Sequence, residues 1–323
     1  MSILLRLTRM LWAGVLTASS GLAAAQPPIS LVVPYAPGGA TDILARIVAQ
    51  RLSQELDRSI VVENRAGGGT IIGAQTVARA QPDGNTLLMA TSTTLAINRS
   101  LYKSLPYRPG DFAPVGLVAE VPLAIVVGPS VQANTLQELV ALAKRDPGGL
   151  SFGSAGNGSP QHLAGELFKT SAGISLTHVP YKGSAAALND LLSGQVSMMF
   201  ADLAPVLPQI KAGKLRVLAV TSTRRLASLP DVPTVRETAV LGTADYEAVA
   251  WQSVVAAPGT PVQITQAYNA ALVKVLADPA VVKRFEGDGM SVRTSTPQEL
   301  ASYMESESER WAKVVSASGA KVD

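Results

Sequence analysis

The chain has no cysteine and only two histidines in 323 residues. The first absence excludes a disulfide framework, a thiolate metal site and a cysteine nucleophile. The second leaves ordinary zinc ligation poorly supplied. Charged residues make up 16% of the chain and aromatics 5%, so no basic, aromatic-laced surface for nucleic acid is expected. No G-x-S-x-G elbow occurs, which removes the usual signature of a serine hydrolase. No metal or cofactor is called for, and no enzyme is expected. Beyond the N-terminus there is no run of 18 apolar residues, so the mature chain should contain no membrane span.

The N-terminus is different. Arg6 and Arg9 precede a mostly apolar stretch from Met10 to Ala23, and Ala23-Ala24-Ala25 offers an A-x-A cleavage site before Gln26. Residues 1–25 are therefore expected to be a cleaved export signal, leaving a soluble periplasmic protein. Taking Arg6 and Arg9 from 27 basic residues against 24 acidic ones lowers the formal charge from +3 to +1. A near-neutral surface gives no electrostatic case for nucleic acid or membrane partners.

Two stretches carry the chemistry. In the first, the apolar run Ile29–Val33 leads into Tyr35-Ala36-Pro37-Gly38-Gly39-Ala40-Thr41-Asp42, and Ile43, Leu44, Ile47, Val48, Leu52 and Leu56 then recur at helical spacing. That pattern is strand, glycine turn, helix start. A helix start has backbone N–H groups without partners and a dipole that favours negative charge, while Gly38 and Gly39 let a ligand approach the backbone. The arrangement suits a carboxylate or a phosphate; it is also what a tight turn capped by Thr41 or Asp42 looks like. The second stretch, Leu150 to His162, repeats the design through Ser154, Gly156, Asn157, Gly158 and Ser159, with Ser159 as N-cap and Pro160 as first helical residue. Two such units suggest an anion held between facing helix starts. Gly67–Gly69 match neither a Walker loop nor a dinucleotide fingerprint.

Strands alternate with helices throughout, so an α/β fold with mainly parallel sheets is expected. Val115–Val127, broken by Pro122, reads as a strand crossing from one lobe to another, and Leu215–Thr221 as the return. The division is residues 26–122 for the first part of lobe 1, 123–225 for lobe 2, and 226–323 for the return and the C-terminal helices. Ligands in open α/β sheets bind beyond the carboxyl ends of strands. This singles out Thr91 and Ser92 after one strand, Tyr181 and Lys182 after another, and Asp202 after a third. Each has a second reading: capping loop for Thr91 and Ser92, solvated loop for Lys182, and helix cap for Asp202, which could otherwise bind a substrate amino or hydroxyl group. His162 either donates to a ligand or caps and packs, His178 reads as structural, and Trp251 either walls the cleft or fills the core.

Several segments together resemble the Bug family of periplasmic receptors of tripartite tricarboxylate transporters. They are Val33 to Asp42, Val62 to Gly73, Pro82 to Leu88, Gly153 to Ser159 with His162-Leu163, Val179 to Ser184, Leu229 to Val235, and Ala257 to Pro261. The family often has Phe-Pro where this chain has Tyr35-Ala36. The resemblance implies a two-lobed periplasmic binding protein, type II-like, its lobes joined by two crossing strands. It further implies a small organic acid as ligand, its carboxylate held by backbone N–H groups and ordered water from Ala36 to Asp42, with Ser154 to Ser159 closing over it. The membrane subunits of the transporter are the implied partner, and a monomer is expected. A periplasmic sensor would use the same fold, so the sequence leaves that alternative open.

Overall fold

The computed structural model describes residues 27–320; the expected signal at 1–25 lies outside them. The first half of the chain's sheet is built from β1 (Ile29–Val33), β2 (Ile60–Asn64) and β3 (Thr86–Thr91), all parallel, with β1 in the middle. Between them run α1 (Ala40–Glu55) and α2 (Ile71–Ala78). One π-helical turn, Thr93–Ile97, then feeds α3 (Asn98–Leu101).

The 15-residue strand β4 (Ala113–Val127) joins the halves. Five elements build the second half: α4 (Leu136–Arg145), β5 (Ser151–Ser154), α5 (Pro160–Ala172), β6 (Thr177–Pro180) and α6 (Ser184–Ser193). To these are added β7 (Met198–Asp202), α7 (Leu203–Lys211) and β8 (Arg216–Val220). The chain returns through β9 (Val249–Ala256) and ends with α8 (Val262–Leu276), α9 (Pro279–Gly287), the short β10 (Ser291–Val292) and α10 (Pro297–Ser318). The strand order is β2-β1-β3-β9-β4-β7-β5-β6, with β8 and β10 paired to β4. Each half thus has three parallel strands; the strands near the join are antiparallel.

β4 changes partner at one point. Pro122 opposes Val249 of β9, and the next residue, Leu123, opposes Asp202 of β7. Proline has no N–H to donate, so it suits the residue where one ladder ends and another begins.

The return crossing differs from the expectation. Leu215–Thr221 does not cross: β8 pairs with Ala124–Val127, inside the second half. The chain stays there to residue 248. Thr234 bridges Val220, the Tyr246 hydroxyl donates to the Ala164 carbonyl at 2.8 Å, and Ala248 N–H donates to Thr221 O at 3.1 Å. Residues 226–248, placed by the expected division in the returning first lobe, are bonded to the second half. Their prolines and charges read as a link, but Val235, Val240, Tyr246 and Ala248 are buried, and that burial holds the segment down.

The apolar core runs through both halves on one face. Leu88, Leu95 and Ile97 of the first half and Phe152, Phe168 and Phe200 of the second belong to one cluster, together with Leu300, Met304 and Trp311 of α10. α10 begins with a capping box, Thr296 and Glu299 each satisfying the other's backbone N–H. Midway along it Glu307 is buried and accepts from the indole N–H of Trp251 (3.1 Å), that of Trp311 (3.0 Å) and Arg310 Nη1 (3.0 Å). Trp251 is therefore a core residue, tied to α10. Glu307→Ala leaves two buried indole donors unpaired. It should lower the unfolding free energy by about 2–4 kcal/mol, read by urea denaturation, whereas Glu307→Gln should cost less because its carbonyl oxygen still accepts.

Candidate functional site

The registers bring the sequence-predicted loops to one place. Thr91, the last residue of β3, opposes Gln252 of β9, and Asp202, the last residue of β7, opposes Leu123 of β4. β1 lies beside β3 and β5 beside β7, with their carboxyl ends pointing the same way as their neighbours'. The turns after β1, β3, β5 and β7 therefore open toward each other across the join. Across it the Asp202 charge acts on the Tyr35 phenol, and Gly158 packs so near α3 that an added Cβ would stand 2.3 Å from Leu101 Cδ1.

The two glycine turns share a device. In the first, Gly38 has φ +89°, a conformation that favours glycine, and its N–H donates to Asp42 Oδ2 at 2.9 Å. In the second, Gly158 has φ +74° and its N–H donates to His162 Nδ1 at 3.0 Å. In both, a side chain in the first helical turn reaches back four residues to fix the glycine ahead of the helix.

The two turns then diverge. Gly39, the N-cap of α1, makes no side-chain capping bond, so the dipole end of α1 faces the join without a side-chain acceptor. α5 is capped by Ser159, whose Oγ accepts from His162 N–H at 3.2 Å, and Pro160 contributes no N–H at all. An anion fits the α1 end; the α5 end is largely satisfied from within.

Several proposed contacts are committed elsewhere. The buried Asp42 carboxylate accepts from Arg46 Nε (3.0 Å) and Asn64 Nδ2 (2.9 Å) besides Gly38. Burial pushes its pKa up, but Arg46, Gly38 and Asn64 together outweigh that and hold it below the usual carboxylate range. It shapes the turn. His162 does the same for the second turn; its ring stacks on His178 with centroids 3.8 Å apart. His178 Nε2 lies 2.7 Å from the buried Ser154 Oγ, which also accepts from Gly156 N–H at 3.1 Å. The Tyr181 hydroxyl donates back to Asp190 Oδ2 at 2.7 Å, while Lys182 and Asn157 are exposed, as are Ala36, Pro37, Gly38 and Gly39.

What faces the join is Tyr35, Thr91 and Ser92 from the first half and Asp202 from the second. Tyr35 Oη lies 3.4 Å from Thr91 Oγ1, which continues to Thr94 (3.2 Å) and on to Thr70 (3.0 Å). Burial, and secondarily the Asp202 charge, raises the Tyr35 pKa, so the phenol keeps its proton. Three residues here were not picked out from the sequence. Gln161 donates Nε2 to Asp202 Oδ2 at 3.0 Å, and Thr93 and Gln252 are buried beside Thr91. Among the described residues, Ser92 Oγ, Gln161 Oε1 and Gln252 Oε1 are buried without a protein partner, while Thr93 acts on the Tyr35 phenol. Buried polar atoms are normally paired, so these three point to a polar occupant. Gln161 left a trace as the residue beside His162 at the helix start, and Thr93 as part of the hydroxyl run from Thr91 to Thr94; Gln252 left none.

The stacked imidazoles set a pH window. Burial first, then His178 and Lys169, pulls His162 down to about 3; burial and Lys169 pull His178 down to about 4. Both are neutral when folded, whereas unfolded histidine titrates near 6.5. The unfolded chain thus binds more protons below that value, and stability falls as pH drops. Between pH 7 and pH 4.5 the loss should be roughly 2–4 kcal/mol. NMR of the imidazole Cε1–H signals should show both rings still neutral at pH 5.5; titration near 6.5 would contradict the stacked arrangement.

The tripartite tricarboxylate transporter family receptor family matches residues 44–320. Protein BugT of Bordetella pertussis is 37% identical, covering 98% of this chain and 100% of its own length. A solved R. palustris structure with adipate is 37% identical, TM-score 0.84, over 91% of this chain and 98% of that one. Rhodopseudomonas palustris MatC with bound malate is 31% identical, TM-score 0.79, over 89% and 98%. The family match spans most of the chain, and the chain belongs to the tripartite tricarboxylate transporter receptor family, as a Bug-type member.

Proposed function

We propose that this chain is an extracytoplasmic receptor that captures a small organic acid between its two halves and delivers it to the membrane subunits of a tripartite tricarboxylate-type transporter. The observation that carries this reading is the α1 start: an N-cap without a side-chain bond, set among turns that converge from both halves. A carboxylate placed there meets backbone N–H groups and the positive end of the helix dipole. The backbone from Ala36 to Thr41, with the Tyr35, Thr91 and Ser92 hydroxyls, would hold it. Water bridges cost little in such a site and let related acids fit. The structures of relatives with adipate and malate support the ligand class. Among the described residues no helix is long and apolar enough to cross a membrane, and delivery therefore depends on partner subunits. The reading includes release of the ligand unchanged, a periplasmic location and a monomeric receptor.

Closure follows from the geometry. A ligand bridging the halves stabilises the closed form only through contacts made with both. X-ray scattering should show a smaller radius of gyration with ligand than without; an unchanged profile with saturating ligand would remove the hinge from the account.

Gly39 provides the direct test. Its φ is −80° and an added Cβ meets nothing within 4 Å, so Gly39→Val should fold, with a melting temperature within a few degrees of the parent. The branched side chain would stand over the α1 start and should weaken acid binding by at least about tenfold, about 1.4 kcal/mol. The ligand itself is to be found by mass spectrometry of what denaturation releases, then a thermal-shift panel of organic acids. A parent protein that no small acid stabilises would defeat the proposal.

A further inference from the structure

The second half presents acceptors to the junction where the first half presents a helix start. Asp202 ends β7 and remains partly accessible while closely surrounded by protein. Its Oδ2 accepts from Gln161 Nε2 at 3.0 Å. That bond fixes the amide: a carboxylate only accepts, so Nε2 must face Asp202 and Oε1 must face away. Gln161 is 5% exposed, and its Oε1 has no protein partner. Two acceptors, one a carboxylate oxygen and one an amide oxygen, thus stand side by side. No lysine or arginine is among the groups acting on Asp202, which are Gln161 and Ser184. Across the junction the Asp202 charge acts on the Tyr35 phenol.

A buried amide oxygen without a donor, here Gln161 Oε1, is costly to leave unmet. A second carboxylate brought here would face Asp202 with no cation between them. An ammonium, with three donors, would satisfy both acceptors at once, and a hydroxyl, with one, would satisfy one of them. We propose that the ligand of this receptor carries a hydrogen-bond donor, an amino or hydroxyl group near its carboxylate, which Asp202 and Gln161 recognise while the α1 start holds the carboxylate. This rests on the reading of the chain as an organic-acid receptor and narrows it to amino or hydroxy acids over plain ones. Burial of Asp202 raises its pKa, and a bound ammonium would restore the charged form.

The experiment is calorimetric titration with matched acids that differ only in the donor. Succinate is compared with malate and aspartate, and glutarate and adipate with their 2-hydroxy and 2-amino derivatives. Each set is run on the parent, on Asp202→Asn and on Gln161→Leu, with circular dichroism confirming the fold. In at least one set the donor-bearing acid should bind the parent ten-fold or more tighter than the plain acid. Asp202→Asn should erase most of that preference, read as the ratio of the two affinities within the variant. Gln161→Leu should reduce the preference by a smaller factor. Plain acids that bind the parent as tightly as every donor-bearing counterpart would overturn the proposal while leaving the receptor reading intact. An undiminished preference in Asp202→Asn would overturn it too. Failure of every acid to bind the parent would remove both.

Discussion

Both halves are hydrogen-bonded to one strand, and the position of every candidate group follows from where that strand changes partner. β4 is laddered to β9 as far as Pro122 and to β7 from Leu123 onward. Because the ladders meet at adjacent residues, the carboxyl ends of the flanking parallel strands meet as well. The turns that follow those strands then have one common space to face. A register slip of one residue would turn each inward side chain to the opposite face of the sheet. The shared core around Trp251, Glu307 and α10 secures the same join from behind.

Within that frame, two turns of one design perform different tasks. Each fixes a left-handed glycine with a side chain one helical turn ahead, Asp42 in one case and His162 in the other. The first leaves its helix start uncapped; the second fills its own with Ser159 and Pro160. The expectation of one anion held between two facing helix starts becomes, in our proposal, an asymmetric pair, a donor-rich first half and an acceptor-bearing second half. Such a division fits a polar molecule with a negative end and a donor end better than a symmetrical anion.

Much of this was legible from residues alone, for stated reasons. Glycine turns followed by apolar residues at helical spacing are local patterns, and α1, α5, Ser159 and Pro160 fall where those patterns put them. Pro122 within a long apolar run marked the crossing strand. The return crossing was not legible, because Arg216–Val220 and Val249–Ala256 are both apolar strands and only their non-local partners distinguish them. The roles of Asp42 and His162 were hidden for a related reason: a polar side chain at a helix start serves a ligand and a turn equally well on paper. Gln252 carried no signal, since nothing local in a central strand shows which polar atom lacks a partner.

The central claim is that the start of α1 receives the ligand's carboxylate. The most direct measurement is backbone amide NMR during titration with the acid released by the purified protein. The account requires the largest downfield proton shifts at Gly39, Ala40 and Thr41, saturating with the calorimetric affinity. Saturable binding that leaves those amides unmoved and shifts a different surface would contradict it.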